Sequence, residues 1–282
     1  MKRIAAILIA VIILSANVHA QEGESENTGK ASNFGITCGI DFYSHYLWRG
    51  YYFYGGDGAF LPFVSYNIMN SGLIITFAGE IAASYVFDGK DNSYTAGYEN
   101  MSADFGLDYS RKISEPVTVA LGIWYWYYPI EKTGDIDTSF LTVTASIAVD
   151  VVLQPKLSFT YDYYPDKDVA PTRDEDFYIQ LSIGHSIDLL KGVSMDIGLS
   201  GGFYRTKTLI TDGSGNFKSV ANISDITISA ALKEEFKGVT LSQSFNYIIV
   251  PAKDFYSAGT EGSNFNKDIN RFFVKFGAAY SL

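Results

Sequence analysis

The residues of this 282-residue chain best equipped for chemistry are its carboxylates, many of them at alternate positions of otherwise apolar runs. Asp41, Glu80, Asp104, Asp108, Asp162, Asp196 and Asp225 occupy the polar phase of such runs, and Lys275 and Arg271 oppose them near the C-terminus. Carboxylates strung along a wall cleave nothing by themselves. Around a narrow aqueous path with low-dielectric walls they concentrate cations. The best placed within such a wall are Asp41, Glu80, Asp104 and Asp162, whereas Asp108 and Asp196 fall near one mouth, where water solvates them. Trp124 and Trp126 share the polar phase and leave two readings open, an aromatic slide for a sugar-like solute or a plug.

Hydrolysis is the other chemistry to weigh. Beyond the N-terminal leader the histidines are His45 and His185. A general base needs an orienting carboxylate and a nucleophile within reach. The positions sharing a face with His185 are Ile183 and Ile187, and neither is nucleophilic. His45 has acids such as Asp57 and Asp88 in nearby loops, with no spacing that establishes contact. No His/Cys set has metal-ligand spacing, and the loop acids Asp166, Asp168, Asp174 and Asp176 lack a calcium-loop pattern. The expectation is a protein that is not an enzyme and uses no cofactor or metal.

What must position these residues is a series of strands. Met101, Ala103, Phe105, Leu107 and Tyr109 alternate with Ser102, Asp104, Gly106, Asp108 and Ser110, a period of two with one apolar face. The same period runs from Asn33 through Tyr43, then Ala59–Met69, Leu73–Phe87, Val117–Tyr128, Thr138–Val149, Lys156–Tyr164, Phe177–Ser186, Val193–Tyr204, Val220–Leu232, Val239–Val250 and Asp268–Leu282. Most of these segments match the ~9–11 residues a tilted strand needs to cross a bilayer. Short joints such as 69–72 and 233–238 alternate strictly with long polar ones such as 88–95 and 251–267. That parity is the mark of a membrane barrel, with short periplasmic turns and longer outer loops. The predicted fold is all-β, a transmembrane antiparallel up-and-down β-barrel of about twelve strands, spanning residues 33–282.

The N-terminus predicts export. Lys2 and Arg3 precede an apolar run from Ile4 to Leu14, and Val18 and Ala20 form a small-residue cleavage site. Residues 1–20 therefore read as a cleaved signal peptide, the run being short for a spanning helix. Residues 21–32, QEGESENTGKAS, read as a disordered periplasmic tail. Losing Lys2 and Arg3 takes the net charge from -10 to -12, which excludes nucleic acid as a partner. Cys38 is the only cysteine, so no intramolecular disulfide can form.

Aromatic residues gather at the segment ends, with Tyr46, Trp48, Tyr85, Phe87, Tyr125, Tyr127, Tyr161, Tyr163 and Phe203 at one rim and Phe34, Tyr109 and Tyr280 at the other. Such belts suit the two interfaces of a bilayer. Phe276, Tyr280 and Leu282 share one face of the last segment, which resembles the terminal signature read by barrel-assembly machinery. Near the N-terminus, Tyr46, Leu47, Trp48, Arg49 and Gly50 spell YLWRG, followed by Pro62 and by Gly72–Leu73. This stretch resembles the first hairpin of the TorF-like porin family. The resemblance covers about the first fifth of the chain and implies an outer-membrane channel. Taken together, the expectation is a Gram-negative outer-membrane porin for passive diffusion of ions or small solutes, weakly cation-preferring. Its pore is lined by Asp41, Glu80, Asp104, Asp162, Trp124, Trp126 and Lys275. Tyr46, Trp48, Arg49 and Gly50 form a structural rim, where Arg49 meets a lumen acid. The expected partners are outer-membrane lipid, the assembly machinery and the solute. Two alternatives stay open: a closed barrel whose outer loops bind a partner, as an adhesin or surface antigen does, and a membrane-embedded hydrolase.

Overall fold

The computed structural model describes residues 35–49, 51–52, 58–68, 71–83, 101–128, 139–163, 176–206, 220–251 and 270–282. The proposed signal peptide, tail and most of each long joint lie outside the described residues, as do Gly50, Tyr85, Phe87 and Phe34. The elements are β1 (Ile36–Tyr43), β2 (Leu47–Trp48), β3 (Tyr51–Tyr52), β4 (Ala59–Ile68), β5 (Leu73–Ala82), β6 (Met101–Ser114) and β7 (Val117–Tyr127). They continue with β8 (Phe140–Val149), β9 (Lys156–Tyr163), β10 (Asp176–Leu190), β11 (Val193–Thr206), β12 (Val220–Phe236), β13 (Val239–Ile249) and β14 (Asn270–Ser281).

Twelve of these strands close into one antiparallel barrel, in the order β1-β14-β13-β12-β11-β10-β9-β8-β7-β6-β5-β4. Closure leaves no unpaired edge, which a bilayer would penalise at every backbone amide. The seam joins the chain's ends: β1 pairs with β14 from Thr37↔Ser281 to Tyr43↔Lys275. β2 and β3 stand apart as a two-stranded hairpin inside the first long joint, with Leu47 opposite Tyr52.

The alternation in the sequence becomes two surfaces. Phe77, Phe105, Leu121, Ile123, Ile147, Leu181, Ile228 and Leu241 are exposed on the outside, where a soluble protein would bury them and lipid accepts them. The inward residues between them are mostly polar or small. Tight turns close the short-joint end. Lys237 and Gly238 both have positive φ, 48° and 81°, as the two central residues of a type I′ hairpin turn must.

Strand ends depart from the alternation where pairing outlasts it. β12 runs on to Phe236, opposite Val239, and β10 runs on to Leu190, so two of the short joints shrink to turns. β12 also carries a bulge: Gly202 pairs with Asp225 but Phe203 pairs with Ile223, which leaves Ser224 as the extra residue. The bulge turns two successive residues, Ser224 and Asp225, into the interior, where both are buried.

Candidate functional site

The site lies inside the barrel, toward the end that carries the long joints. Below it the inward positions are small: Ser146 faces Ser158, Gly122 faces Thr144, Ser200 faces Thr227 and Ser242 faces Gly277. Barrels of about 8 strands fill with side chains.

Near the long joints the interior is crossed. The β2–β3 hairpin folds inward from the β1 side, with Arg49 at its turn in the left-handed region, φ 51°. A non-glycine residue there costs roughly 1–2 kcal/mol, so the surroundings must hold it. The guanidinium makes a bidentate pair with Asp162 of β9, its Nη1 bonding Oδ2 and its Nη2 donating to Oδ1 at 3.1 Å. It also lies over the rings of Tyr178 and Tyr204, 5.5 and 5.3 Å from their centroids. β1 and β9 stand six strands apart in either direction around the barrel, so this contact spans the lumen. At the root of the hairpin, just before β2, stands Tyr46, whose hydroxyl donates to Glu80 of β5.

Around Arg49 the carboxylates are held by hydroxyl groups. Asp162 is fully buried and also accepts from Thr142 Oγ1 at 2.8 Å. Asp225 accepts from Tyr178 at 3.1 and 3.2 Å and from Ser224, its bulge neighbour, at 2.6 Å. Asp176 accepts from Thr206 at 2.9 Å. On the seam side Lys275 pairs with Asp41 at 2.8 Å and sits over the Tyr43 ring. Charge-assisted bonds of this kind are short and directional, and they lock the side chains they join.

One wall is aromatic. Trp124 and Trp126 of β7 stack with centroids 5.9 Å apart, and Trp126 stacks on Phe140 of β8 at 5.8 Å. Trp124 Nε1 donates to Asp108 at 3.2 Å and Trp126 Nε1 donates to Thr142 at 3.0 Å. The indole of Trp126 is thereby tied through Thr142 to Asp162 and Arg49.

The structure thus brings Arg49, Asp162, Trp126 and Trp124 into one connected set. Glu80 joins the same hairpin through Tyr46, and the Asp41–Lys275 pair on the seam reaches it through Tyr43, whose ring lies beneath Lys275 and edge-on to Tyr46 at 5.4 Å. Asp104 is inward and 4 % exposed, opposite Trp126 in the β6–β7 register. Three expectations need correction. Tyr46 is not a girdle residue: it is buried, because its hydroxyl has a carboxylate inside the barrel. Asp176 is not a loop acid, for it opens β10 and is buried against Thr206 and Tyr204. Asp108 is not merely solvated, since it anchors an indole. Trp48 lies on β2. Phe276 and Leu282 are exposed on the outer face of the last segment, with Tyr280 half-buried opposite Cys38. His185 is exposed near the short turns, its Nδ1 2.8 Å from the Val152 carbonyl, and His45 Nδ1 lies 3.3 Å from Ser44 Oγ.

Sequence reasoning missed Tyr178, Tyr204 and Thr206. Their phase was visible, but a polar residue on an inward phase gives no hint of which distant side chain it will meet.

No protein-family model matches the chain, and no curated protein does either. Solved structures do. The porin NanC is 9 % identical at a TM-score of 0.50, with 88 % of this chain and all of that one covered. LpxR from Salmonella typhimurium is 9 % identical at 0.50, covering 87 % of this chain and all of that one. The KdgM porin, solved in complex with disordered oligogalacturonate, is 9 % identical at 0.49, with 88 % and 98 % covered. At such identities the likeness is one of fold alone. That fold is the closed antiparallel barrel of outer-membrane proteins.

Proposed function

We propose that this chain is an outer-membrane channel for passive diffusion of ions or small polar solutes, cation-preferring and without chemical turnover. The observation that carries this reading is the interior itself: small polar residues along most of its length, narrowed toward one end by a hairpin set among carboxylates. An interior meant only to be filled would carry larger side chains reaching across it, as barrels of about 8 strands are filled by theirs. The described carboxylates near the narrowing are Asp41, Glu80, Asp104, Asp162, Asp176 and Asp225, against Arg49, Arg271 and Lys275. An excess of fixed negative charge in a low-dielectric tube raises the local concentration of cations.

The long joints face outward and the short turns face the periplasm, the arrangement usual for such barrels. Phe276, Tyr280 and Leu282 serve as the signal for barrel assembly. The test is the refolded mature protein in a planar bilayer under a salt gradient. Discrete conductance steps with a reversal potential of cationic sign are expected. Silence from protein shown to be folded by heat-modifiable gel migration would refute the channel.

A further inference from the structure

We infer that Trp124 and Trp126 form a binding subsite for uncharged saccharides, an inference that rests on the channel reading and names its solute class. The rings are arranged as a strip. Trp124 and Trp126 are inclined by 28°, Trp126 and Phe140 by 15°, and Phe140 and Tyr128 by 21°. A quaternary ammonium is bound by rings standing around it as a cage. Nearly parallel rings in a row instead line one wall with apolar ring surface, which suits a ligand with an apolar face of its own.

The strip has an accessible side. A side-chain carbon at Gly106 would fall 2.5 to 2.7 Å from Cε2, Cδ2 and Cζ2 of Trp124. The indole therefore lies flat on the wall over Gly106 and turns its other face to the lumen. Phe140 and Tyr128 are buried, whereas both tryptophans keep part of their surface exposed. Their N–H groups are already bound to Asp108 and Thr142, so what they present is ring face.

Hydrogen-bond acceptors stand at the edges of the strip. Asp104 lies across the strand pair from Trp126, is 4 % exposed, and its Oδ1 meets no donor. A buried carboxyl oxygen without a hydrogen-bond partner is costly to leave unmet. Asp108 lies across from Gly122 on the same β6 wall. A ligand that satisfies this site needs an apolar face, hydroxyl donors around its rim and no negative charge. A pyranose has all three. An acidic sugar would bring its own carboxylate against the carboxyl groups of Asp104 and Asp108, and a bare metal cation has no use for the rings.

The experiment is titration of the refolded full chain with maltohexaose, read by intrinsic tryptophan fluorescence in micelles and by current block in planar bilayers. A saturable fluorescence change and a matching block are expected. Trp124→Ala and Trp126→Ala should each weaken binding about tenfold, as for loss of one aromatic contact. Asp104→Asn should weaken it severalfold, while Trp126→Phe, which keeps a ring, should bind nearly as the parent does. Heat-modifiable migration verifies that each variant is folded. A steady current with no response to maltohexaose in either assay would overturn the subsite and leave the channel standing. Block by tetramethylammonium that the tryptophans control, with maltohexaose inert, would overturn it in favour of an organic cation. Saturable fluorescence without any current would support the subsite and refute the channel.

Discussion

At the scale of single residues, Arg49 concentrates more of the interior's organisation than any other described side chain. It holds a left-handed backbone, pairs in a fork with Asp162, and covers two tyrosine rings. Lysine could supply the charge but not the planar fork that matches a carboxylate. Arg49→Ala should lower stability by about 3 kcal/mol, because removing one partner leaves a buried carboxylate unmatched. The same change should raise conductance and sharpen cation preference. Adding Asp162→Asn to it should recover part of the stability, so that the two losses are strongly non-additive. Urea midpoints of the four proteins in vesicles measure the coupling, and simple additivity would refute the pairing as an energetic unit.

At the scale of strands, each one carries two solvents on its two faces. Leu121, near the middle of β7, is 59 % exposed on the outer face, whereas Ser146 of β8 is inward. Arginine at Leu121 should destabilise the barrel by roughly 2–4 kcal/mol, as charge does at a bilayer midplane. Arginine at Ser146 should fold with little loss and shift the reversal potential toward anions. Equal effects on stability at both sites would refute the assignment of faces. The strands were legible because period two is a local property: Met101 to Tyr109 declares both faces without knowledge of its neighbours. The inward acids Glu80, Asp104 and Asp162 followed from the same phase. The hairpin β2–β3 and the bulge at Ser224 were not legible. The first depends on Asp162, 113 residues away from Arg49. The second is a mismatch between β11 and β12 that neither strand shows alone. Tyr46 was misplaced for a related reason, since an aromatic residue at a strand end looks the same whether lipid or a buried carboxylate awaits it.

For the whole molecule, closure is what the first and last strands provide to each other. Cys38 stands directly opposite Tyr280 across the seam. Opposed strand residues have Cα atoms about 4.5–5.5 Å apart, within the range of about 4.4–6.8 Å that a disulfide accepts. Tyr280→Cys should therefore oxidise to a covalent link between β1 and β14, giving a band on reducing versus non-reducing gels that differs in mobility. Failure to oxidise in folded protein would refute this register. The contact from the hairpin to β9 has a further, mechanical consequence. A cylinder whose wall is one strand thick is stiff along its hydrogen-bonded ladders but flattens easily when squeezed from the side. The chain's own seam does nothing against such flattening. A strut fixed near β1 and seated on the wall diametrically opposite does, so Arg49 and Asp162 hold the rim round against the lateral pressure of the bilayer.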